Sequence, residues 1–333
     1  MVRYLITGGA GFMGSNYVRY VARKYEDAEI LVYDKLTYAG RVENLKDVLD
    51  GSRVRLIKGD ICDEESLAKV FKNFEPEVIV NFAAETHVDR SINEPAPFLK
   101  TNVFGVFNIL EAVRRFGAGR LIHISSDEVY GDMWGKEPAT EDSPFRPSSP
   151  YSASKAAGDH LALSYWRTYG VPVIVARPSN NYGPYQHPEK LIPKTIIRAL
   201  TGTPIPIYGS GDQVRDWLYV RDFCEAIDTL VNKGVVGEPY NIPGGNERTN
   251  LEVVKAILKI LGRPETLIKH VEDRPGHDRR YAMRGDKIAA LGWRPRTPWG
   301  EGLRETVEWY LRNEWWWRPL TKDEFFRKDT PWR

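Results

Sequence analysis

The chain has 333 residues, 42% apolar and 28% charged, with 47 basic against 45 acidic side chains. That composition allows about two globular units of ~150 residues and excludes a disordered tail or a fibre. A net charge of +2 leaves no bulk footprint for nucleic acid, and no run of ~18 apolar residues predicts a membrane span.

Val2 to Thr7 predicts a strand and residues 14–25 a helix. Glu29 to Tyr33 and Arg53 to Ile57 follow as strands, and 64–73 as a helix. Val78 to Phe82 and Arg120 to Ile124 are strands flanking a helix at about 97–116. A long helix covers about 151–169, and Val171 to Ala176 is strand-like. This alternation predicts a doubly wound parallel α/β sheet with helices on both faces. The near-continuous apolar runs VRYLIT, EILVY and RLIHI suit strands buried on both sides.

After Arg177 the pattern changes. Residues 178–190, rich in Asn, Pro, Gly and Tyr, read as loop. Helices are expected near 191–201, 220–232, 250–261 and 300–312, with strands at Ile205 to Tyr208 and Pro239 to Ile242. The expected division is a nucleotide-binding domain at 1–177 and a smaller substrate lobe at 178–333, with crossovers back to the sheet allowed. Trp309, Trp315, Trp316, Trp317 and Trp332 crowd the tail, where packing or subunit contact is the expected role. The start at Met1 shows no basic leader before a long apolar stretch, so a cytoplasmic protein is expected. Cys62, Cys224 and the six histidines are scattered without ligand spacing, so no metal site is expected.

Gly8, Gly11 and Gly14 form G-x-x-G-x-x-G between a strand and a helix. Such a turn lets a pyrophosphate approach the backbone at a helix N-terminus; by itself it is also compatible with a purely structural turn. Asp34 ends the second strand, where a carboxylate accepts from ribose hydroxyls and repels a 2′-phosphate. NAD is therefore preferred to NADP, although Lys35 offers a partner for the extra phosphate. Asp60, after the third strand, suits either the adenine amino group or a capping role.

Tyr151 and Lys155 stand at i and i+4, on one helix face. A phenol with a pKa near ~10 is a weak base at neutral pH. A lysine ammonium and a positive nicotinamide would favour the tyrosinate. Ser126, Asp127 and Glu128 follow a strand at its carboxyl end, where ligands bind in such sheets. The two acids are turn residues on the simplest view. In a cleft, one of them can donate a proton while the other accepts one.

These segments resemble the extended short-chain dehydrogenase/reductase family, and within it the nucleotide-sugar 4,6-dehydratases. The likeness covers about residues 1–315. It rests on GGAGFMGSN (8–16), YDKLTYAG (33–40), NFAAETHVDRSI (81–92), SSDEVYG (125–131), YSASK (151–155), RPSNNYGPYQHPEKLIP (177–193), RDWLYVRDFC (215–224) and DRPGHDRRYA (273–282). Ser126 replaces the usual Thr, and Met13 the usual Ile or Val. The resemblance implies a Rossmann-type fold and conversion of dTDP-glucose to the 4-keto-6-deoxy sugar and water, a step of deoxysugar and rhamnose biosynthesis. UDP-glucose is the alternative substrate. A 4-epimerase is less consistent with the acid pair, and a non-enzymatic NAD-binding regulator has no use for the catalytic set.

The resemblance also assigns roles. Tyr151 takes the C4 hydroxyl proton, with Ser126 orienting that hydroxyl; Glu128 removes the C5 proton and Asp127 protonates the departing C6 hydroxyl. NAD, tightly bound and regenerated each turnover, is surrounded by Gly8, Gly11, Phe12, Met13, Gly14, Asp34, Lys35, Thr37, Asp60, Ile61, Phe82, Ala83, Ala84, Thr101, Tyr151, Lys155 and Asn181. The nucleotide sugar meets Thr86, Ser126, Asp127, Glu128, Asn180, Lys190, Leu191, Pro206, Ile207, Tyr208, Arg215, Asn250, Arg274, His277 and Tyr281. Without the resemblance, Arg274, Arg279 and Arg280 equally suit a solvated basic face. The helices near 97–116 and 151–169 carry apolar faces with Phe104, Phe107, Leu110, Leu161, Leu163 and Trp166, which by themselves equally suit packing on the sheet; the resemblance implies that these helices pair into the four-helix bundle of a homodimer.

Overall fold

The computed structural model describes residues 2–333. Its first half runs β1 (Arg3–Thr7), α1 (Phe12–Lys24), β2 (Glu29–Asp34), β3 (Val54–Lys58), α2 (Glu64–Phe74), β4 (Val78–Asn81), α3 (Val88–Asn93), α4 (Ala96–Leu99), α5 (Val106–Phe116), β5 (Arg120–Ile124), α6 (Pro150–Tyr169) and β6 (Val173–Pro178). The second half adds β7 (Asn180–Tyr182), α7 (Leu191–Thr201), β8 (Ile205–Tyr208), β9 (Val214–Tyr219), α8 (Val220–Lys233), β10 (Pro239–Ile242) and β11 (Glu247–Thr249). It ends with α9 (Asn250–Leu261), β12 (Ile268–Val271), α10 (Asp286–Ala290), α11 (Trp299–Arg312), α12 (Glu314–Trp317) and α13 (Glu324–Arg327).

Seven strands form one sheet in the order β10-β6-β5-β4-β1-β2-β3, and every neighbouring pair is parallel. Side-chain alternation divides the apolar runs between two layers. Ile6, Val32, Val80, Ile122 and Ile174 pack with Val18 of α1 and Ile227 of α8. Leu5, Leu31, Ile79, Leu121 and Val173 pack with Phe71 of α2, Ile109 of α5 and Ala162 of α6. The strand order reverses between β1 and β4, which opens a crevice at their carboxyl ends.

The long helices have local reasons to start and stop. Ser149 and Ser152 form a capping box at the head of α6, Pro150 occupies the first turn, and Gly170 ends the helix at φ 71°. Thr249 and Glu252 cap α9 in the same way.

Four expectations change. The helix at 97–116 is broken by a π-helical turn at Lys100–Gly105, which sends the Asn102 amide to the backbone of Glu85 and to Ser154. Asn180–Tyr182, expected as loop, is a strand paired with β9. β9, β11 and β12 had no sequence signal, because their partners are distant in the chain: β11 and β7 flank β9, and β12 pairs with β8. Leu110 is fully buried beside Ile109, so it belongs to the core and not to a free helix face.

As allowed, the chain crosses back: β10 adds to the sheet beside β6. In the tail, Trp316, Trp317 and Trp332 are buried while Trp315 is exposed. Trp316 donates to Asn44, and Trp317 to the carbonyl of Tyr310. No described helix is long and apolar enough to cross a membrane. Among the described residues no cluster of His, Cys, Asp or Glu could hold a metal ion.

Candidate active site

The crevice holds one continuous cavity. Gly8, Gly11, Phe12, Met13, Gly14, Asp34, Lys35, Thr37, Asp60, Ile61, Phe82, Ala83, Ala84 and Thr101 line it, together with Thr86, Ser126, Asp127, Glu128, Tyr151, Lys155, Asn180, Asn181 and Lys190.

The glycine turn is shaped by contact. Gly8 has φ +67°, and a Cβ there would lie 2.4 Å from the Ala83 nitrogen; a Cβ on Gly14 would lie 2.4 Å from the Gly8 carbonyl oxygen. Strand β4 and the head of α1 therefore approach the turn as only glycine allows. No side chain caps α1, and its first turn holds no acid. Those first-turn N–H groups can meet an anion. Asp34 accepts from the backbone N–H of Ala10 (2.9 Å) and of Leu36 (2.8 Å). Burial raises its pKa, and those two amides oppose the rise. Lys35 is paired with Asp60 at 2.8 Å, so it is already engaged as a partner. Asp60 also accepts from the Cys62 N–H (2.9 Å), which closes a local turn in the wall; the cap of α2 is Asp63, which accepts from the Ser66 N–H. The Oδ1 atoms of Asn180 and Asn181, buried in the wall, have no hydrogen-bond partner. An uncapped helix end, a glycine cradle and unsatisfied amides together fit a dinucleotide.

The turn after β5 presents Ser126, Asp127 and Glu128. Ser126 Oγ lies 3.2 Å from Asp127 Oδ1 and accepts the Glu128 N–H at 3.2 Å. Asp127 Oδ2 is buried without a partner. Burial, and next the neighbouring Glu128 charge, push the Asp127 pKa far above the usual carboxylate range. Burial also raises Glu128, but Arg274, Arg215 and Lys190 pull it back towards the ionised form. The pair thus supports one protonated and one ionised carboxyl.

Tyr151 and Lys155 share the inner face of α6, but the expected electrostatics differ. Burial, followed by the Glu128 charge, raises the Tyr151 pKa. Lys155 donates to the Ile124 carbonyl at 2.6 Å, and burial pulls its pKa down to about 8. The lysine alone therefore does not produce a tyrosinate: desolvation outweighs it.

Of the other expected substrate residues, Tyr281 donates to Glu128 Oε2 at 3.3 Å and to Asp278 at 2.8 Å. The Arg215 guanidinium lies over the Tyr281 ring, 4.3 Å from its centroid. Arg274 and Tyr208 converge on Asp89, at 2.9 and 3.0 Å, so Arg274 is no solvated basic residue. Arg280 instead pairs with Glu247, and Arg279 lies over the exposed Trp134. His277 is bound to Asp273 at 2.6 Å, and Asn250 reaches Gln213 at 3.5 Å. Leu191, Pro206, Ile207, Tyr208, Arg215, Asn250, Arg274, His277 and Tyr281 lie outside the cavity wall itself. The Ile207 side chain packs with Val254 and Leu258.

Sequence reasoning missed Glu85, Ser125, Ser179, Gln186, His187 and Glu189 in the same wall. Each adjoins a residue that was singled out or lies in a quoted segment, but sequence alone gives no direction to its side chain. Glu189 is buried. Against that burial His87, His187, Lys190 and Arg90 hold its pKa down at about 2.

A family model described as GDP-mannose 4,6 dehydratase matches residues 5–306. A dTDP-glucose 4,6-dehydratase of Neisseria meningitidis serogroup B is 50% identical over 347 aligned positions, covering 98% of each chain. The chain belongs to the dTDP-glucose 4,6-dehydratase family. That family lies within the extended short-chain dehydrogenase/reductases. Solved family members agree in fold. The dTDP-glucose 4,6-dehydratase of Bacillus anthracis, in complex with NAD, has a TM-score of 0.90 at 48% identity, over 96% of this chain and 100% of that one. The one from Streptomyces venezuelae, with NAD and TYD bound, reaches 0.93 at 46% identity with the same coverage.

Proposed function

We propose that this protein converts dTDP-glucose to dTDP-4-keto-6-deoxyglucose and water, with Tyr151, Glu128 and Asp127 dividing the proton transfers. The observation that carries the reading is the adjoining carboxyl pair, buried in one wall with Tyr151: burial raises both, Asp127 far above the usual carboxylate range, while Arg274, Arg215 and Lys190 hold Glu128 back towards its ionised form. A 4-epimerase has no hydroxyl to expel and no use for a buried acid beside a buried base.

The C5 hydrogen of glucose is not acidic and its C6 hydroxyl leaves poorly. A ketone at C4 acidifies C5. NAD, when bound, supplies the hydride acceptor for C4 and the hydride donor for C6, so the overall reaction has no net redox change. Tyr151 receives the C4 hydroxyl proton, and Ser126 holds that oxygen. Because burial keeps the phenol protonated, Tyr151 needs cationic charge against it before it can act as a base. Glu128, favoured as a carboxylate by Arg274, Arg215 and Lys190, removes the C5 proton and, once protonated, can return one to C5 as C6 takes the hydride. Asp127, favoured as the acid, gives its proton to the leaving C6 hydroxyl.

Since each turnover restores the cofactor, release brings no advantage, and NAD stays bound through purification. The glycine cradle and Asp34 support that reading. A homodimer through α5 and α6 and a cytoplasmic setting, where nucleotide sugars are handled, complete it. The test is product formation from dTDP-glucose and UDP-glucose in parallel, read by the chromophore that 4-keto-6-deoxy sugars develop in alkali. Turnover of dTDP-glucose at higher kcat/KM is expected. Equal or better use of UDP-glucose would overturn the nucleotide assignment, and no chromophore from either would overturn the reaction.

A further inference from the structure

Behind the cavity runs a line of buried polar side chains that the dehydration itself does not use. Thr7 Oγ1 donates to Asn81 Oδ1 at 2.7 Å, which fixes the Asn81 amide; its Nδ2 then lies 3.2 Å from Nδ1 of His123. An amide nitrogen only donates, so Nδ1 of His123 accepts and the ring proton sits on Nε2. That Nε2 faces Asp159 Oδ1 at 3.9 Å, and neither atom has a hydrogen-bond partner. The other Asp159 oxygen is held by Arg177 Nε at 2.8 Å, and Arg177 also donates to Tyr130 Oη at 2.6 Å. Helix α6 seats tightly here: a Cβ on Gly158 would lie 3.2 Å from His123 Nε2.

Lys155 lies one turn before Asp159 on α6, and its ammonium is bound to the carbonyl of Ile124, the residue after His123. Both side chains are buried, as are those of His123 and Arg177. An ammonium in so dry a place needs a nearby anion to keep its proton. Asp159 supplies that field, opposing the burial that draws the proton off.

Other charged or titratable groups stand around this cluster. They come from β5 (His123), β6 (Arg177), the turn after β5 (Asp127, Glu128, Tyr130) and α6 itself (Tyr151). Asp89 and Arg90 of α3 are engaged with Arg274 and Glu189, and Glu111 of α5 meets α6 farther along, at Tyr165.

We propose that Asp159 is a positioning residue for the reaction: held by Arg177 one turn along α6, it keeps the buried ammonium of Lys155 charged and so bound to the Ile124 carbonyl. The inference rests on the reading of Lys155 as a catalytic group.

The experiment is the pH profile of kcat/KM for dTDP-glucose in four variants of the holoenzyme. In the wild type, activity falls at alkaline pH as Lys155 loses its proton. Asp159→Asn should move that limb down by about one pH unit or more, the usual size for loss of an opposite charge. Asp159→Glu should restore it. A folded Asp159→Asn enzyme with the wild-type limb overturns the inference. Asp159→Asn leaves Arg177 buried without its anion, which threatens folding. The double variant Asp159→Asn/Arg177→Gln removes both charges and should show the same displacement. Failure of both to fold would also count against the inference, since the pair would then be a fold determinant. The fourth variant, Lys155→Met, separates the two readings. Full activity in it would sink the catalytic role of Lys155 itself, whereas an inactive Lys155→Met beside an unmoved Asp159→Asn limb sinks only the role of Asp159.

Discussion

Asp127 and Glu128 are consecutive in one short turn, yet Arg274, Arg215 and Lys190 together favour the ionised form of Glu128, whereas Asp127 meets Arg215 against the charges of Glu128 and Asp216. That difference predicts separable defects. Glu128→Gln should abolish exchange of the C5 hydrogen with solvent deuterium. Asp127→Asn should retain that exchange while losing water slowly, and Tyr151→Phe should show neither. General acids and bases contribute ~10²–10⁴-fold, so kcat should fall by about that factor in each case, with KM little changed. Normal C5 exchange in Glu128→Gln would refute the assignment.

The same burial makes Asp127 a cost to the fold. Its affinity for a proton is higher in the folded than in the unfolded state, so the folded protein holds more protons between the ordinary value of 3.8 and the raised one. Stability is therefore lost as pH rises through that window. Asp127→Asn removes the loss. Its Tm should exceed that of the wild type at neutral pH, with the gain shrinking in acid, even as turnover falls. A thermal melt of the two proteins at both pH values checks this; a lower neutral Tm for the variant would count against a raised Asp127.

Glu128 must be ionised to act, so activity falls as pH drops through its folded pKa, which burial has raised. Arg274 is the strongest opposing cation. Arg274→Gln should carry the acid limb of kcat to higher pH, in addition to weakening substrate binding. An acid limb left in place would mean that another group sets it.

Gly14→Ala tests the cofactor cradle. The added Cβ meets the Gly8 carbonyl oxygen at 2.4 Å, a backbone atom that has no side-chain freedom to give way. The variant should be purified with little or no NAD and should need added cofactor. Retention of a full complement would show that the turn deforms without loss.

Subunit association is predicted from Leu99, Phe104 and Phe107, which are 57%, 66% and 37% exposed on the helical segment from α4 to α5. Leu161, Leu163 and Trp166 on α6 are partly buried against the sheet layer. Exposed apolar neighbours of this kind mark an interface. Phe104→Asp with Phe107→Asp should give a monomer by sedimentation where the wild type gives a dimer. A wild type that sediments as a monomer at micromolar concentration would remove the proposal.

Much of the site was legible because its motifs are local. The glycine turn, Asp34, the Ser126–Glu128 run and the Tyr151–Lys155 spacing each need only a few adjacent residues to state their geometry. The substrate side was less so. Arg274 and Tyr208 are 66 residues apart in the sequence positions 208 and 274, and they are related only because Asp89 accepts from both. Glu85 and Glu189 had no signal of their own, since a lone acid beside a motif does not reveal where it points.

The sequence by itself determined the layered sheet, the glycine turn and the placing of Tyr151 and Lys155 on one helix face, because hydrophobic period and i to i+4 spacing are short-range rules. The tertiary structure decided the rest. It returned Pro239–Ile242 to the sheet, turned Asn180–Tyr182 into a strand, broke the helix before α5 with a π turn, and buried Leu110. It also decided which groups carry charge. Desolvation and fields from residues far along the chain raise Tyr151 and Asp127 and hold Glu189 down. Those energies depend on which groups surround a side chain in space, a quantity that no local pattern of residues contains.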